Sequence, residues 1–176
     1  MDSGKVQIYY GEGRGKSSAA LGYALQAASM GENVFIIRFL KGRMEKEPAF
    51  MQRLEPEIKV FHFEKLQKRY ECLSDQEKQE ENINLKNGVN FARKVLMTAE
   101  CSLLVLDELL GVIDHGVVSI EEVKALLAAK TDDTQLIITG RALPEGLREY
   151  ADEIYQIQVE KGYSSAQDFA FTAKSV

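Results

Sequence analysis

The sequence has few of the residues that build disulfide frameworks, metal clusters and linkers. Its 176 residues include two cysteines, two histidines and three prolines. Cys72 and Cys101 are too few and too far apart in sequence for a disulfide framework or a metal site, so we expect two reduced thiols in a cytoplasmic protein. His62 and His115 lack the Cys–His spacing of a metal cluster. With no low-complexity tract and no evident linker, residues 1–176 are expected to form a single domain.

Long apolar runs and an excess of positive charge are also missing. No apolar run approaches the roughly 20 residues needed to span a bilayer, and the first five residues lead into a strand without the pattern of a signal peptide. The net charge of −5 does not favour a general nucleic-acid-binding surface. We therefore expect neither a membrane nor a nucleic acid as a partner.

Short apolar strands alternate with helices along the chain. Strands are predicted at residues 6–10, 33–39, 58–61, 103–107 and 135–139, with a last core strand at 153–159 and an edge strand at 168–172. Helices are predicted at residues 17–30, 44–54 and 74–99, and from Ser119 and Pro144 onwards. This order predicts an α/β fold, with a mostly parallel sheet covered by helices on both faces. Ligands of such sheets bind at the carboxyl ends of the strands.

A glycine-rich loop joins the first strand to the first helix, and it has the form of a phosphate-binding loop. It consists of Gly11, Glu12, Gly13, Arg14, Gly15, Lys16 and Ser17. Backbone N–H groups of such a loop converge on an anion, and the helix N-terminus adds the positive end of its dipole. Lys16 can neutralise a phosphate oxygen and Ser17 can ligate Mg²⁺. The sequence thus predicts a P-loop NTPase-like (RecA-like) fold rather than a chance glycine-rich turn.

The loop is one residue shorter than the common P-loop. Three residues separate Gly11 from Gly15, where the common motif has four between its first glycine and the Gly-Lys pair. Tyr10 stands where that first glycine would be.

Polar residues follow several other predicted strands. Asp107 and Glu108 end a hydrophobic strand, and one of them would hold Mg²⁺ directly or through water; the alternative is a cap on the following segment. Arg141 and Lys41, each next to a glycine at a strand end, are either phosphate ligands or surface residues. Phe61 and Phe63, close to His62, form either the wall of a pocket for a flat ligand or part of the core.

Five segments in this order resemble the P-loop-type ATP:corrinoid adenosyltransferases, which place the upper adenosyl ligand on vitamin B12 precursors. These are residues 11–20, Phe-Leu-Lys-Gly at 39–42, Phe-His-Phe-Glu at 61–64, Val-Leu-Asp-Glu-Leu at 105–109 and Ile-Thr-Gly-Arg at 138–141. The resemblance covers about residues 5–160. Phe63 stands in place of the family's tryptophan, and only fragments of the family's C-terminal pattern follow Val159.

The resemblance implies transfer of the 5′-deoxyadenosyl group of ATP to the Co(I) of a reduced corrinoid, with release of triphosphate. It implies Lys16 and Glu108 as catalytic residues, and Phe61, Phe63 and Glu64 in the corrinoid pocket. It implies a magnesium site made of Ser17, Asp107 and Glu108. The residues expected to bind ATP are Gly11, Glu12, Gly13, Arg14, Gly15, Lys16, Ser17, Ser18, Lys41 and Arg141. A homodimer and an electron-donating flavoprotein partner are further expectations from the family.

Two other functions fit the loop. An ordinary ATPase or small-molecule kinase would use Glu108 to orient water or an acceptor hydroxyl, and would form phosphate or ADP. A non-catalytic relative would bind ATP or a corrinoid without turnover. The short loop and the segment 61–64 argue against the first, and the intact Lys16, Ser17, Asp107 and Glu108 argue against the second.

Overall fold

A six-stranded sheet forms the centre of the fold, with the strand order β3-β2-β4-β5-β1-β6. The computed structural model describes residues 4–40 and 49–161. All five strand pairings are parallel. The strands are β1 (Val6–Tyr10), β2 (Val34–Arg38), β3 (Ile58–His62), β4 (Leu103–Asp107), β5 (Gln135–Gly140) and β6 (Glu153–Gln156).

Five α-helices connect or flank the strands. They are α1 (Lys16–Ser29), α2 (Ala49–Gln52), α3 (Asp75–Thr98), α4 (Leu109–Asp114) and α5 (Ile120–Ala128). Two short 3₁₀ helices cover Tyr70–Cys72 and Glu145–Tyr150. The predicted α/β class with a parallel sheet is therefore confirmed.

Each face of the sheet carries its own apolar layer, because alternate residues of a strand point to opposite faces. In β4, Leu104 and Leu106 pack with residues of α3, α4 and α5, whereas Leu103 and Val105 pack with α1. The buried residues of α1 include Ala20, which is 1% exposed. Small side chains there allow the helix to approach the sheet closely. The predicted helices on both faces are thus confirmed.

Capping boxes begin the two helices whose first turns are acidic. Ser74 accepts a hydrogen bond from the backbone N–H of Glu77, and the Glu77 side chain accepts one from the backbone N–H of Ser74. Ser119 and Glu122 repeat this arrangement at α5. Both starts were predictable, since the Ser-x-x-Glu pattern satisfies otherwise unpaired N–H groups.

The structure corrects the sequence-based boundaries in three places. β6 ends at Gln156 and is a half-exposed edge strand, so the prediction of a core strand at 153–159 was wrong. Helix α4 was not predicted, since it is only six residues long and follows an apolar strand without a break. The helix expected to begin with Pro144 is a 3₁₀ helix that begins one residue later. Residues 44–48 and 168–172, where a helix start and an edge strand were predicted, lie outside the described residues.

The described residues contain no helix long and apolar enough to cross a membrane. Cys72 is exposed and Cys101 is buried, and neither forms a disulfide. Burial raises the pKa of the Cys101 thiol to about 12, so this side chain stays a neutral thiol and packs as an apolar group.

Gly88 in α3 leaves space for two aromatic rings from neighbouring strand ends. A Cβ atom at Gly88 would lie 2.9 Å from Phe39 Cε1 and 3.1 Å from Phe63 Cδ2. Phe39 is fully buried, so its ring is surrounded by packed neighbours. Gly22, in the middle of α1, has no such neighbour within 4 Å.

We predict opposite effects of alanine at these two helical glycines. Gly22→Ala should raise the free energy of unfolding by up to about 1 kcal/mol, because alanine favours the helix and restricts the unfolded chain. Gly88→Ala should lower it, since overpacking costs roughly 1–3 kcal/mol and exceeds that gain. Denaturant unfolding of both variants measures the difference. Equal stabilisation by the two substitutions would show that the rings are not tightly packed on Gly88.

Candidate active site

Three glycines give the loop at residues 11–17 its conformation. Gly11, Gly13 and Gly15 have φ angles of 130°, 84° and 116°, which side chains with a Cβ atom rarely adopt. The backbone N–H of Gly11 donates to the carbonyl oxygens of Gly140 and Arg141, at 3.2 and 3.0 Å. The loop is therefore fastened at its start to the end of β5.

The loop folds around the ammonium group of Lys16. Its Nζ donates to the carbonyl oxygens of Gly11 and Gly13, both at 2.8 Å, and the residue is only 5% exposed. A positive charge thus lies inside the loop at the N-terminus of α1, where the helix dipole also attracts anions.

Asp107 connects the first turn of α1 to the centre of the sheet. Its Oδ1 accepts hydrogen bonds from Ser17 Oγ at 2.7 Å and from Thr139 Oγ1 at 2.8 Å. The Thr139 hydroxyl in turn accepts a hydrogen bond from the backbone N–H of Glu108 at 2.9 Å. Asp107 is 3% exposed and Thr139 is fully buried. Asp107 thus contacts the loop serine directly.

The Ser17 hydroxyl and the Asp107 carboxylate are the oxygen donors that could hold Mg²⁺. Mg²⁺ prefers oxygen ligands and keeps several waters, so two protein ligands beside bound phosphates suffice. The described parts of the chain contain no cluster of three or more His, Cys, Asp or Glu side chains that could hold a metal by themselves. The donor set therefore fits Mg²⁺ bound together with a nucleotide.

Glu108 reverses the chain between β4 and α4. It has φ 68° and ψ 23°, the left-handed conformation, and occupies the N-cap position of α4 without a side-chain capping hydrogen bond. The alternative of a carboxylate cap is thus not realised here. The charge of Glu108 is among the causes that raise the pKa of Arg141, after the larger contribution of Glu12.

Arg141 forms an ion pair with Glu12 across the mouth of the loop. Arg141 Nη2 lies 2.8 Å from Glu12 Oε2, and both side chains are largely exposed. The hydrogen bond from Arg141 holds the pKa of the Glu12 carboxyl below its usual value. An exposed pair of this kind is weak, so a bound anion can compete for the guanidinium. Arg14 and Ser18 are exposed on the same loop and helix start, and Lys41 lies outside the described residues.

The chain after β6 crosses the loop, which the sequence did not reveal. The backbone N–H of Ile157 donates to the Tyr10 carbonyl at 2.7 Å. A Cβ atom on Gly11 would collide with the Ile157 carbonyl oxygen, and one on Gly13 with the Val159 side chain. Glycine at these two positions therefore serves close backbone packing as well as loop conformation.

An aromatic cluster lies at the carboxyl end of β3. The Phe61 ring packs on Phe91 at a centroid distance of 4.8 Å and on Phe35 at 5.1 Å, and the Phe63 ring lies 5.5 Å from Phe91. Phe61 and Phe63 are half-buried against the core, so they pack inward and keep an exposed edge. Phe91 was not predicted to belong to this cluster, because its position in a helix does not show which strand it contacts.

Comparison with known sequences identifies the protein family of this chain. The sequence model of the ATP:corrinoid adenosyltransferases BtuR/CobO/CobP matches residues 2–170, which is nearly the whole chain. The chain belongs to the ATP:corrinoid adenosyltransferase family. The resemblance noted in its five segments is confirmed.

Several relatives of this adenosyltransferase family member match over most of its length. It is 28% identical to the corrinoid adenosyltransferase of Pseudomonas aeruginosa over 161 residues, which cover 91% of this chain and 77% of that protein. It is 24% identical to the corrinoid adenosyltransferase of Escherichia coli (strain K12), covering 91% and 79%. An uncharacterized protein of Nostoc sp. is 31% identical, covering 85% of this chain and 42% of its own.

Among solved structures, ATPases 2 and 3 of EssC from Geobacillus thermodenitrificans align with a TM-score of 0.47 and 17% identity. That alignment covers 95% of this chain and 34% of the other.

The hydroxyl of Thr139 donates to Asp107 and accepts from the backbone N–H of Glu108. Its removal should lower the free energy of unfolding. Thr139→Val keeps the shape of the side chain but removes a donor to Asp107 and the hydroxyl that accepts from the part-buried N–H of Glu108. We predict a loss of about 1–3 kcal/mol in the free energy of unfolding. Thr139→Ser, the matched control, keeps the hydroxyl and should lose clearly less. A valine variant as stable as the wild type would mean that these hydrogen bonds do not hold the site together.

Proposed function

We propose that this chain transfers the 5′-deoxyadenosyl group of ATP to the Co(I) of a reduced corrinoid and releases triphosphate. Membership of the family supports this proposal. The observation that carries it is the shortened loop: its lysine is enclosed by the loop carbonyls, next to the Ser17–Asp107 pair. That arrangement concentrates positive charge for a whole polyphosphate chain.

In the proposed reaction a pair of electrons moves from cobalt to carbon. The lone pair of Co(I) forms a bond to C5′ of ATP, the bond between C5′ and its oxygen breaks, and triphosphate leaves with that electron pair. Cobalt becomes formally Co(III). Because Co(I) is itself a strong nucleophile, the protein needs no base and no covalent intermediate. Its task is to align the two centres and to stabilise the charge of the leaving group.

The residues of the loop provide that stabilisation. Lys16 and the loop N–H groups would bind the triphosphate, and Arg141 would leave Glu12 and bind a phosphate oxygen. Ser17 and Asp107 would hold Mg²⁺, with Glu108 next to them. When bound, Mg²⁺ would neutralise charge on the triphosphate oxygens. Glu12, Gly13, Arg14 and Ser18 would complete the nucleotide site, together with Lys41.

The aromatic cluster at the end of β3 would serve the corrinoid. Phe61 and Phe63 present an apolar edge, and Glu64 follows directly. This edge and Asp107 both lie at the carboxyl ends of their strands, but Phe61 and Phe63 pack on the face of Leu106, opposite to the face on which Asp107 meets α1. A phenylalanine in place of the family's tryptophan would keep the apolar wall and reduce its area. A cytoplasmic homodimer that receives electrons from a flavoprotein belongs to the same proposal.

The products distinguish this function from its competitors. The protein should be incubated with Mg-ATP and chemically reduced cob(I)alamin, while the cobalt–carbon spectrum and the nucleotide products are followed. We expect adenosylcorrinoid and triphosphate in equal amounts. Phosphate or ADP without adenosylcorrinoid would identify an ATPase or kinase, and binding without products would identify a carrier or regulator.

The enclosed lysine gives a second prediction. Lys16→Ala removes the charge at the centre of the loop, and removing one preorganised group of this kind costs roughly 10²–10³-fold in rate. We expect a loss of at least that size in adenosyl transfer. Lys124→Ala is the control, since Lys124 lies on α5 and pairs with Glu121 on the surface. An unchanged rate for Lys16→Ala would mean that the loop does not bind the leaving group.

A further inference from the structure

A small cavity lies next to the aromatic cluster, since Glu64, the residue after Phe63, is part of its lining. It measures about 200 Å³ including its open mouth, and its enclosed part has room for roughly one water molecule. It lies between the ends of β2 and β3, the first 3₁₀ helix and α3. Its lining residues are Leu40, Glu64, Lys68, Tyr70, Leu73, Glu81 and Leu85.

The cavity contains a buried carboxyl group that has no hydrogen-bond partner of normal geometry. Glu64 is 7% exposed, and neither of its oxygens accepts a hydrogen bond of normal geometry. Glu81, at 3% exposure, is different: its Oε1 accepts from the backbone N–H of Lys65 at 3.1 Å and from Asn84 Nδ2 at 2.7 Å. Unsatisfied buried polar groups are rare in proteins. We therefore expect Glu64 to hydrogen-bond a ligand, whereas Glu81 already has its partners within the protein.

The surroundings of Glu64 favour its neutral form. Burial raises the pKa of its carboxyl, and the charge of Glu81 on α3 adds to this. The backbone N–H groups of Glu64 and Leu40 and the nearby His62 act in the opposite direction. Two other polar groups of the cavity are engaged elsewhere: Lys68 Nζ binds Glu77 at 3.0 Å, and the Tyr70 hydroxyl donates to Asn82 at 2.7 Å.

A neutral carboxyl offers one donor and one acceptor side by side. A primary carboxamide offers the complementary pair, because its oxygen accepts and its NH₂ group donates. Corrin rings carry primary carboxamides on short side chains at their edge. We propose that Glu64, in the cavity beside Glu81, binds one of these peripheral carboxamides of the corrinoid. Its O–H donates to the amide oxygen and its other oxygen accepts from the amide nitrogen.

This inference rests on the proposed function and adds a specific contact to it. The open mouth of the cavity admits the tip of a side chain and excludes the ring, so the corrin would lie against Phe61 and Phe63 while one amide enters the mouth. Glu64 is then a binding residue that selects corrinoids by their edge groups. It takes no part in the adenosyl transfer.

The test is equilibrium binding of cob(II)alamin to the Mg-ATP-loaded protein at a series of increasing pH values, followed by the corrinoid absorbance. Wild-type affinity should be full at low pH and fall as the pH rises through the pKa of Glu64, because ionisation removes the donor. Glu64→Gln should bind with similar affinity at every pH, since a glutamine amide keeps one donor and one acceptor. Glu64→Leu should bind roughly tenfold more weakly at every pH.

Two controls separate this contact from a structural role. Glu80→Gln changes an exposed glutamate of α3, next to Glu81, and this variant should bind as the wild type does. A corrinoid whose peripheral carboxamides are all methyl esters should bind the wild type more weakly than cob(II)alamin does. That preference should vanish in Glu64→Leu.

Three results would overturn the inference. If Glu64→Leu matches the wild type in affinity, pH profile and preference for amides, the carboxyl only holds a structural water. If Glu64→Gln loses affinity as Glu64→Leu does, the ionised form is the binding form. If the wild type binds and adenosylates no corrinoid, the proposed function fails, and this inference fails with it.

Discussion

One carboxylate oxygen, Asp107 Oδ1, joins the three parts of the site. It accepts from Ser17 in the first turn of α1 and from Thr139 in β5, while Asp107 itself ends β4. Two strands and one helix thus meet at a single buried acceptor. The position of the loop relative to the sheet depends on it, and so does the position of any nucleotide that the loop binds.

The conformation of the loop is a second constraint, and contacts on two sides of the loop maintain it. From inside, Lys16 bonds the carbonyls of Gly11 and Gly13. From outside, Ile157 and Val159 pack where Cβ atoms on those glycines would be. A loop shortened by one residue therefore stays closed around its cation without help from a ligand. Preorganisation of this kind lowers the reorganisation needed when a polyphosphate binds.

Local signals were sufficient for much of the fold. The apolar runs of β1, β2 and β4, the capping boxes at Ser74 and Ser119, and the glycine-lysine loop each lie within a few neighbouring residues. The physics that defines them is equally local. The sequence also placed the polar strand ends at one edge of the sheet, because parallel strands bring their carboxyl ends together.

Contacts between distant residues could not be predicted in this way. Helix α4 depends on the left-handed turn at Glu108, which its neighbours in the chain do not dictate. The partner of Arg141 is Glu12, 129 positions earlier, and the aromatic edge at Phe63 depends on Phe91 and the space beside Gly88. The hydrogen bond between Ser17 and Asp107 follows only from the packing of α1 on β4. The position of Glu64 and Glu81 in one cavity likewise follows from the packing of α3 near the end of β3.

The central claim is that ATP is cleaved at carbon rather than at phosphorus. ATP labelled with ¹⁸O at the oxygen that bridges C5′ and the α-phosphate, supplied with Mg²⁺ and reduced corrinoid, tests this directly by mass spectrometry of the products. The account predicts that all of the label leaves in triphosphate and that the adenosyl group on cobalt carries none. Label retained on adenosine, AMP or ADP would show cleavage along the phosphate chain and contradict the account.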